Sequence, residues 1–269
     1  MLKIGFIGAG NMGGALAKAA SKNDSLQIFI SDNDTSKAEC LCKEIGALAS
    51  SNAQIASEAD FIYLGVKPQV LPSVLQQIAP DLKNRNGRFV LVTMAAGIKT
   101  ESVCEMLGFD CPVIRIMPNT PVMIGEGLIL YCGNSLVTDD DFNHFLCLCQ
   151  HAGLTDRLEE SLIDAGCSVS GCGPAFVYMF IDALAQGGKK AGLSEEKALF
   201  YAAQTALGAA KMVMQTKKSP DELKRAVCSP NGSTIEGVNY LEKELLKEKV
   251  VEGVTASFNR TVELGKNNF

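Results

Sequence analysis

The chain has 269 residues, a formal net charge of −5, and 47% hydrophobic against 20% charged residues. This describes a globular protein long enough for one large domain or two smaller ones. The acidic balance and the lack of a basic stripe argue against nucleic acid or an anionic membrane as partner.

The amino terminus, MLKIGFIGAGNMGG, reaches glycines and Asn11 before a signal-peptide apolar run is complete. No later stretch reads as membrane-spanning, so a cytoplasmic protein is expected. Strand KIGFI runs into Gly8-Ala9-Gly10-Asn11-Met12-Gly13, which opens a helix. In that setting Gly8 permits a tight turn, Gly10 lets backbone approach a pyrophosphate, and Gly13 brings helix and strand together. The stretch from Ile7 to Gly13 is therefore a candidate dinucleotide site. Asp32 ends the second strand, LQIFIS, about 20 residues on. It would hydrogen-bond a ribose hydroxyl and favour NAD(H), yet Ser31, Asn33, Thr35, Ser36 and Lys37 around it could hold the 2′-phosphate of NADP(H). The coenzyme choice stays open, and Asp34 or Thr35 reads as the cap of the next helix.

Further β-rich runs, DFIYLGV, RFVLVTM, PVIRIMP and GLILYCG, alternate as far as PVIRIMP with helical segments such as 12–21 and 35–45. This predicts a parallel α/β sheet, and the continuous apolarity of FIYLGV and FVLVTM predicts strands covered on both faces. Ligands in such sheets bind beyond the carboxyl ends of the strands. Those ends carry Val66, Lys67 and Pro68, then Ala95, Ala96 and Gly97, then Pro118 and Asn119. The small Ala-Ala-Gly turn would admit a flat nicotinamide ring.

Ten cysteines scattered through a chain without an export signal read as reduced thiols. With only His144 and His151 to help, Cys40/Cys42 and Cys147/Cys149 predict no metal site. Both histidines are expected on a solvated helix. From about Glu160 the pattern becomes helical, with long segments at 175–191, 195–215 and 241–264. The expected division is a Rossmann-like dinucleotide-binding domain, 1–159, and a helical domain, 160–269. Gly187, Gly188 and Gly192 are expected to end the first long helix. Residues 212–214 read as core or subunit interface. The segments FVYMFIDALAQ and FYAAQTALGAAKMVM are apolar around more than one face, which predicts a homodimer or larger assembly.

Helical patterning breaks over Ser229-Pro230-Asn231-Gly232 and resumes at Thr234. Pro230 and Gly232 are an ordinary way to separate two helices, but a helix start also exposes N–H donors able to hold an anion.

Taken in order, GFIGAGNMG, VKP, AAG, MPNTP, SGCGPAF, GGKKAGL and SPNGST followed by EG resemble pyrroline-5-carboxylate reductase, the last enzyme of proline biosynthesis, over almost the whole chain. Asn231 and Cys172 depart from the family pattern, standing where glycine and serine are common. The resemblance implies a Rossmann-like domain followed by a helical domain that forms a homodimer, and a larger ring of dimers is consistent with it. It implies NAD(P)H and pyrroline-5-carboxylate as ligands. The substrate carboxylate would rest on the N–H groups of Gly232, Ser233 and Thr234, and the Thr234 hydroxyl would reach the ring nitrogen. Glu160 matches a glutamate near that nitrogen, and Asn52, Lys67, Pro68, Ala95 and Ala96 match positions that contact the coenzyme.

The imine chemistry also accounts for a missing residue. A ketone receiving hydride becomes an alkoxide and needs a proton donor, and related hydroxyacid dehydrogenases place a lysine on the first long helix of the second domain. No lysine follows Val177 for two turns. A protonated cyclic imine already carries its charge and becomes a neutral amine, so positioning outweighs acid catalysis. A donor elsewhere, on Lys67, Lys189 or Lys190, remains the alternative, as does a non-catalytic nucleotide sensor.

Overall fold

The computed structural model describes residues 1–266. Residues 267–269, included in the expected second domain, lie outside the described residues. The chain divides into two compact units: residues 1–172 with the return from Ser257, and residues 173–256.

The first unit runs β1 (Leu2–Ile7), α1 (Asn11–Ala20), β2 (Leu26–Ser31), α2 (Thr35–Ile45), β3 (Leu48–Ala49), α3 (Asn52–Glu58), β4 (Phe61–Leu64), α4 (Leu71–Asn84), β5 (Val90–Thr93), α5 (Thr100–Leu107) and β6 (Val113–Met117). A 3₁₀ turn, Thr120–Ile124, leads to β7 (Gly127–Gly133), α6 (Asp139–Cys149), β8 (Gly153–Arg157) and α7 (Ile163–Ser170). The strands form one sheet in the order β3-β2-β1-β4-β5-β6-β7-β8. Successive residues serve opposite faces, as a pleated strand requires. Phe61 and Tyr63 join Ile4, Phe6, Ile28 and Ile30 in one core cluster, while Ile62 and Leu64 join Ile7, Phe29 and Leu91 in another. Each fully buried Ile, Leu or Phe side chain contributes about 1.5–3 kcal/mol.

The doubly covered sheet of the first half is as expected, with three differences, the first being the two-residue edge strand β3 at Leu48–Ala49. GLILYCG is β7 and pairs antiparallel with β6, because the short turn between them is too brief for a parallel crossover. Beyond it β8, Gly-Leu-Thr-Asp-Arg, adds an edge strand parallel to β7.

The second unit contains α8 (Gly173–Lys190), α9 (Glu195–Thr216), α10 (Pro220–Val227), α11 (Ser233–Lys243) and most of α12 (Leu246–Lys266), whose last turns belong to the first unit. The unit is helical as expected, but it begins at Gly173 rather than at residue 160. Ile163 and Cys167 of α7 pack with Met117, Leu130 and Cys132 of the sheet, and that contact holds the segment in the first unit. Gly187 and Gly188 lie inside α8 instead of ending it, and Gly192, at φ 102°, makes the turn. A side chain at Gly188 would press on Leu193 and Ala198, so this glycine allows α8 and α9 to approach. The expected helix at 241–264 is two helices, divided where Leu245 takes φ 58°.

The segment Glu160–Lys190 is, by length and composition, long and apolar enough to cross a membrane, contrary to the expectation from sequence. In the fold it is divided into α7 and α8 at Gly171–Cys172. The second unit has a small core, built on Ala185, Ala198 and Ala202 with Ile181 against them. Met179, Phe180, Phe200 and Tyr201 are left exposed.

Candidate functional site

Parallel registry brings the expected ligand-binding residues to one edge of the sheet. Ile7 is level with Ser31 on one side and Leu64 on the other, Leu64 with Thr93, and Thr93 with Arg115. The strand order reverses direction between β1 and β4, the place where open α/β sheets take nucleotides.

The three glycines of the turn have different causes. Gly8 adopts φ 104°, and a Cβ there would lie 2.7 Å from the Gly65 carbonyl. A Cβ on Gly13 would overlap the Gly8 carbonyl oxygen. Both are required by the fold itself. A Cβ on Gly10 would meet nothing within 4 Å, so packing within the protein does not require a glycine there. Gly10 also caps α1 without any side-chain hydrogen bond to the helix start, which leaves the donors of Asn11, Met12 and Gly13 pointing outward. These features fit a dinucleotide pyrophosphate. Ile7 is buried and offers only backbone, and Met12 packs partly into the core.

Asp32 uses its two oxygens on the Ala9 N–H at 2.7 Å and the Asp34 N–H at 3.0 Å. Asn33 is exposed beside it. Asp34 rather than Thr35 caps α2, accepting from the Lys37 N–H at 3.3 Å. Between α1 and α2 lies a cleft of about 370 Å³ lined by Gly10, Asn11, Lys18, Lys37 and Glu44. Lys18 is paired with Glu44 at 2.6 Å, while Lys37 is in no ion pair among the described residues.

Asn52 accepts from the Ser31 hydroxyl at 2.7 Å and donates to Gln77 at 2.8 Å, which holds it beside the end of β2. Val66 and Pro68 are half-buried and Lys67 is exposed. Ala95 is buried, Ala96 half-buried, and Gly97 turns at φ 75°. Pro118 is buried at the end of β6. Asn119 differs from expectation: its amide accepts from the Leu128 N–H at 2.8 Å and donates to the Ser170 carbonyl at 3.1 Å. Its polar atoms tie β7 and α7 together.

Glu160 accepts from the Thr100 N–H at 2.7 Å and the Thr100 hydroxyl at 2.9 Å, and lies 3.8 Å from the Arg115 guanidinium. Arg115 is 1% exposed and binds Asp164 at 2.5 Å. This cluster was not foreseen, although a signal was present: a lone arginine in the apolar strand VIRIM must find a carboxylate partner.

In the second unit the break is formed by Asn231 at φ 55°, a left-handed residue that asparagine tolerates better than most. Gly232 then caps α11 with no side-chain hydrogen bond. The Gly232 N–H is already bonded to the Ser229 carbonyl at 3.1 Å, so it is not the free donor expected. The Ser233 and Thr234 N–H groups open α11 with no partner among the described residues. The helix start thus offers two outward donors and the Thr234 hydroxyl.

No group of histidine, cysteine and carboxylate side chains among the described residues has the arrangement of a metal site. The ten cysteines are all free. Cys104 and Cys111 are buried, and burial pushes the Cys132 and Cys149 thiols up to about 12, which makes them poor nucleophiles. On α8 the lysines are Lys189 and Lys190 at the far end, and Lys189 is paired with Glu195 at 3.3 Å.

A family model described as pyrroline-5-carboxylate reductase dimerisation matches residues 160–264, and one described as NADP oxidoreductase coenzyme F420-dependent matches residues 3–97. The pyrroline-5-carboxylate reductase of Escherichia coli (strain K12) is 36% identical over 98% of this chain and 99% of its own. The chain belongs to the pyrroline-5-carboxylate reductase family. The Aquifex aeolicus (strain VF5) pyrroline-5-carboxylate reductase is 35% identical over 98% of this chain and 97% of its own. The crystal structure of Plasmodium falciparum pyrroline carboxylate reductase with NADP bound matches over 98% of both chains at 32% identity, with a TM-score of 0.86. As a pyrroline-5-carboxylate reductase the chain is an NAD(P)H-dependent oxidoreductase, and its helical half carries the dimerisation region that the family model describes.

Proposed function

We propose that the chain reduces L-1-pyrroline-5-carboxylate to L-proline, the last step of proline biosynthesis, and that its residues divide the work between anion binding and positioning. Bound NAD(P)H supplies a hydride that adds to the carbon of the protonated imine, whose π electrons pass to nitrogen and leave a neutral secondary amine. The turn from Gly8 to Gly13 holds the pyrophosphate on backbone donors, with Asp32, Asn33 and Lys37 toward the adenosine ribose. Val66, Lys67, Pro68, Ala95 and Ala96 line the side where the nicotinamide lies. Ser233 and Thr234 hold the substrate carboxylate through N–H groups, and the Thr234 hydroxyl orients the ring nitrogen. Because the imine is already protonated, no side chain has to deliver a proton to nitrogen during hydride transfer, which agrees with an α8 whose lysines lie only in its last turn.

The observation that carries this reading is Gly10, the one glycine of the turn whose missing Cβ the fold does not require. Steady oxidation of NADPH or NADH on adding pyrroline-5-carboxylate tests it. Binding of coenzyme without turnover would favour a sensor instead.

The assembly we propose is a homodimer through the helical unit, with a ring of dimers as the larger form. Its support is the exposed face of α8 and α9 and an apolar groove of about 910 Å³ lined by Phe176, Phe180, Leu241, Leu246 and Val250. Burial of that face in a subunit contact accounts for Glu160–Lys190 without a membrane, and the placement we propose is cytoplasmic. The net charge of −5 is poorly suited to nucleic acid. A monomer across micromolar concentrations in light scattering would refute the dimer.

A further inference from the structure

The loop 95–99 leads from β5 into α5, and its path is held at three places. At its start the Ala95 N–H meets the Thr93 hydroxyl at 3.4 Å, and the Ile98 N–H returns to the Ala95 carbonyl at 3.3 Å. In its middle Gly97 lies against the last turns of α12. A Cβ on Gly97 would be 2.7 Å from the Gly265 backbone, and one on Gly265 would be 2.8 Å from the Gly97 carbonyl oxygen.

At its end the loop enters α5 without a cap of its own, for Lys99 makes no side-chain bond to the helix start. Glu160, 60 residues further along the chain, fills that role. One oxygen takes the Thr100 N–H and the other the Thr100 hydroxyl, so the carboxylate sits at the positive end of the helix. Arg115 approaches it from the other side. Strand alternation puts Ile114 and Ile116 into one core and turns Arg115 to the opposite face, where Glu160 and Asp164 share its charge. The buried Arg115 Nε has no partner, so this guanidinium depends on its two carboxylates.

We propose that Glu160 is a positioning residue for hydride transfer: by fixing Thr100 it sets the Ala95–Gly97 turn against which the nicotinamide ring is held, and it does not itself meet the substrate nitrogen. The inference rests on the reading that Ala95 and Ala96 line the nicotinamide. Both Glu160 oxygens already have partners, and a carboxylate drawn to the imine would leave Thr100 uncapped and Arg115 short of one counter-charge.

Three full-length variants, Glu160→Gln, Thr100→Val and Ala96→Val, test it through coenzyme Kd from NADPH fluorescence, the KM for pyrroline-5-carboxylate, and melting temperature. Glu160→Gln should weaken NADPH roughly three- to tenfold, the range of one net hydrogen bond, and leave the substrate KM and the pH profile of kcat/KM unchanged. Thr100→Val removes the opposite half of one of the same bonds and should show the same pattern more weakly, with a sub-additive double variant. If Glu160→Gln does not fold, Thr100→Val carries the test alone.

A raised substrate KM in Glu160→Gln with coenzyme Kd unchanged, and a silent Thr100→Val, would overturn the inference and return Glu160 to the substrate. Lowered melting temperature with normal coenzyme and substrate constants would reduce it to a structural residue and overturn the inference equally. Ala96→Val separates the underlying reading. If added bulk there leaves NADPH binding unchanged, the assignment of the loop to the nicotinamide fails. If Ala96→Val weakens NADPH and neither Glu160→Gln nor Thr100→Val does, the role of Glu160 alone fails.

Discussion

The Asp32 carboxylate accepts the Ala9 N–H at 2.7 Å through one oxygen while the other takes the Asp34 N–H, which makes Asp32 the clasp between the end of β2 and the glycine turn. An acidic residue at this position shapes the glycine turn and, in the proposed coenzyme site, places a negative charge near the ribose. Asp32→Asn should separate the two effects. Losing one of the two good acceptors should weaken NADH and NADPH alike. Removing the charge should favour NADPH selectively, by about 1 kcal/mol or roughly fivefold for charges about 4 Å apart in a solvated site. An unchanged ratio of the two kcat/KM values would mean that Asp32 does not face the ribose.

Gly10 and Gly13 should respond to the same substitution in opposite ways. Gly10→Ala places a methyl group in open space, so binding of either coenzyme should fall while stability drops by less than about 1 kcal/mol, the difference between the two residues as caps. Gly13→Ala drives a methyl into the Gly8 carbonyl and should cost about 1–3 kcal/mol or more of stability. Thermal melts beside coenzyme titrations distinguish the two. A Gly10→Ala protein that binds NADPH normally would refute the pyrophosphate assignment.

Asp141 should govern part of the response to acid. Burial alone would raise its pKa, but hydrogen bonds from Arg88 and from Thr138, with the nearby Arg88 charge, hold it at about 2. It completes the capping box of α6 and pairs with Arg88 at 2.5 Å. Because the folded value lies below the unfolded one of about 3.9, the stabilisation is fully present above about pH 4 and is lost as pH falls toward 2. The shift corresponds to about 2–3 kcal/mol, reduced toward about 1 by solvent around the half-exposed Arg88. Asp141→Asn should therefore melt several degrees below the wild type at pH 7 and converge with it only below about pH 2. A gap independent of pH would assign the effect to packing.

Much of the first unit could be read from sequence because local and tertiary demands coincide there. FIYLGV and FVLVTM are apolar throughout since both faces of β4 and β5 are covered, and the glycine turn announces itself by spacing. The β8 strand escaped because Gly153–Arg157 is an edge strand with Leu154, Asp156 and Arg157 exposed, so burial left no periodic pattern in it. The direction of β7 depends on the length of the turn before it, not on its own residues. Glu160 and Thr100 are far apart in sequence, and only the sheet brings them together. The break at 229–232 was visible, but the closing bond from Gly232 to Ser229, which removes a donor from the expected set, is a matter of backbone geometry.

That closing bond changes what substitutions in the loop should do. Gly232→Pro would break the bond to the Ser229 carbonyl and crowd the Ser229 side chain. It would also follow a left-handed Asn231, a conformation disfavoured before proline. A large rise in the KM for pyrroline-5-carboxylate is expected, through displacement of the Ser233 and Thr234 donors rather than removal of one. Ser233→Ala keeps both N–H groups and should be mild. Thr234→Ala should lower kcat with a smaller effect on KM if, as proposed, its hydroxyl orients the ring nitrogen as charge leaves the imine, a lost hydrogen bond of about 1–3 kcal/mol. Thr234→Ser should recover most of that loss. A role as helix cap makes the opposite prediction, with stability falling by about 1 kcal/mol and turnover per folded molecule intact. Gly232 already holds the cap position, and Thr234 lies one residue inside α11 with an exposed side chain. Its melting temperature should therefore barely move when the hydroxyl is removed. Turnover and melting temperature measured on one preparation decide the matter, and normal kcat in Thr234→Ala would remove this loop from the substrate site.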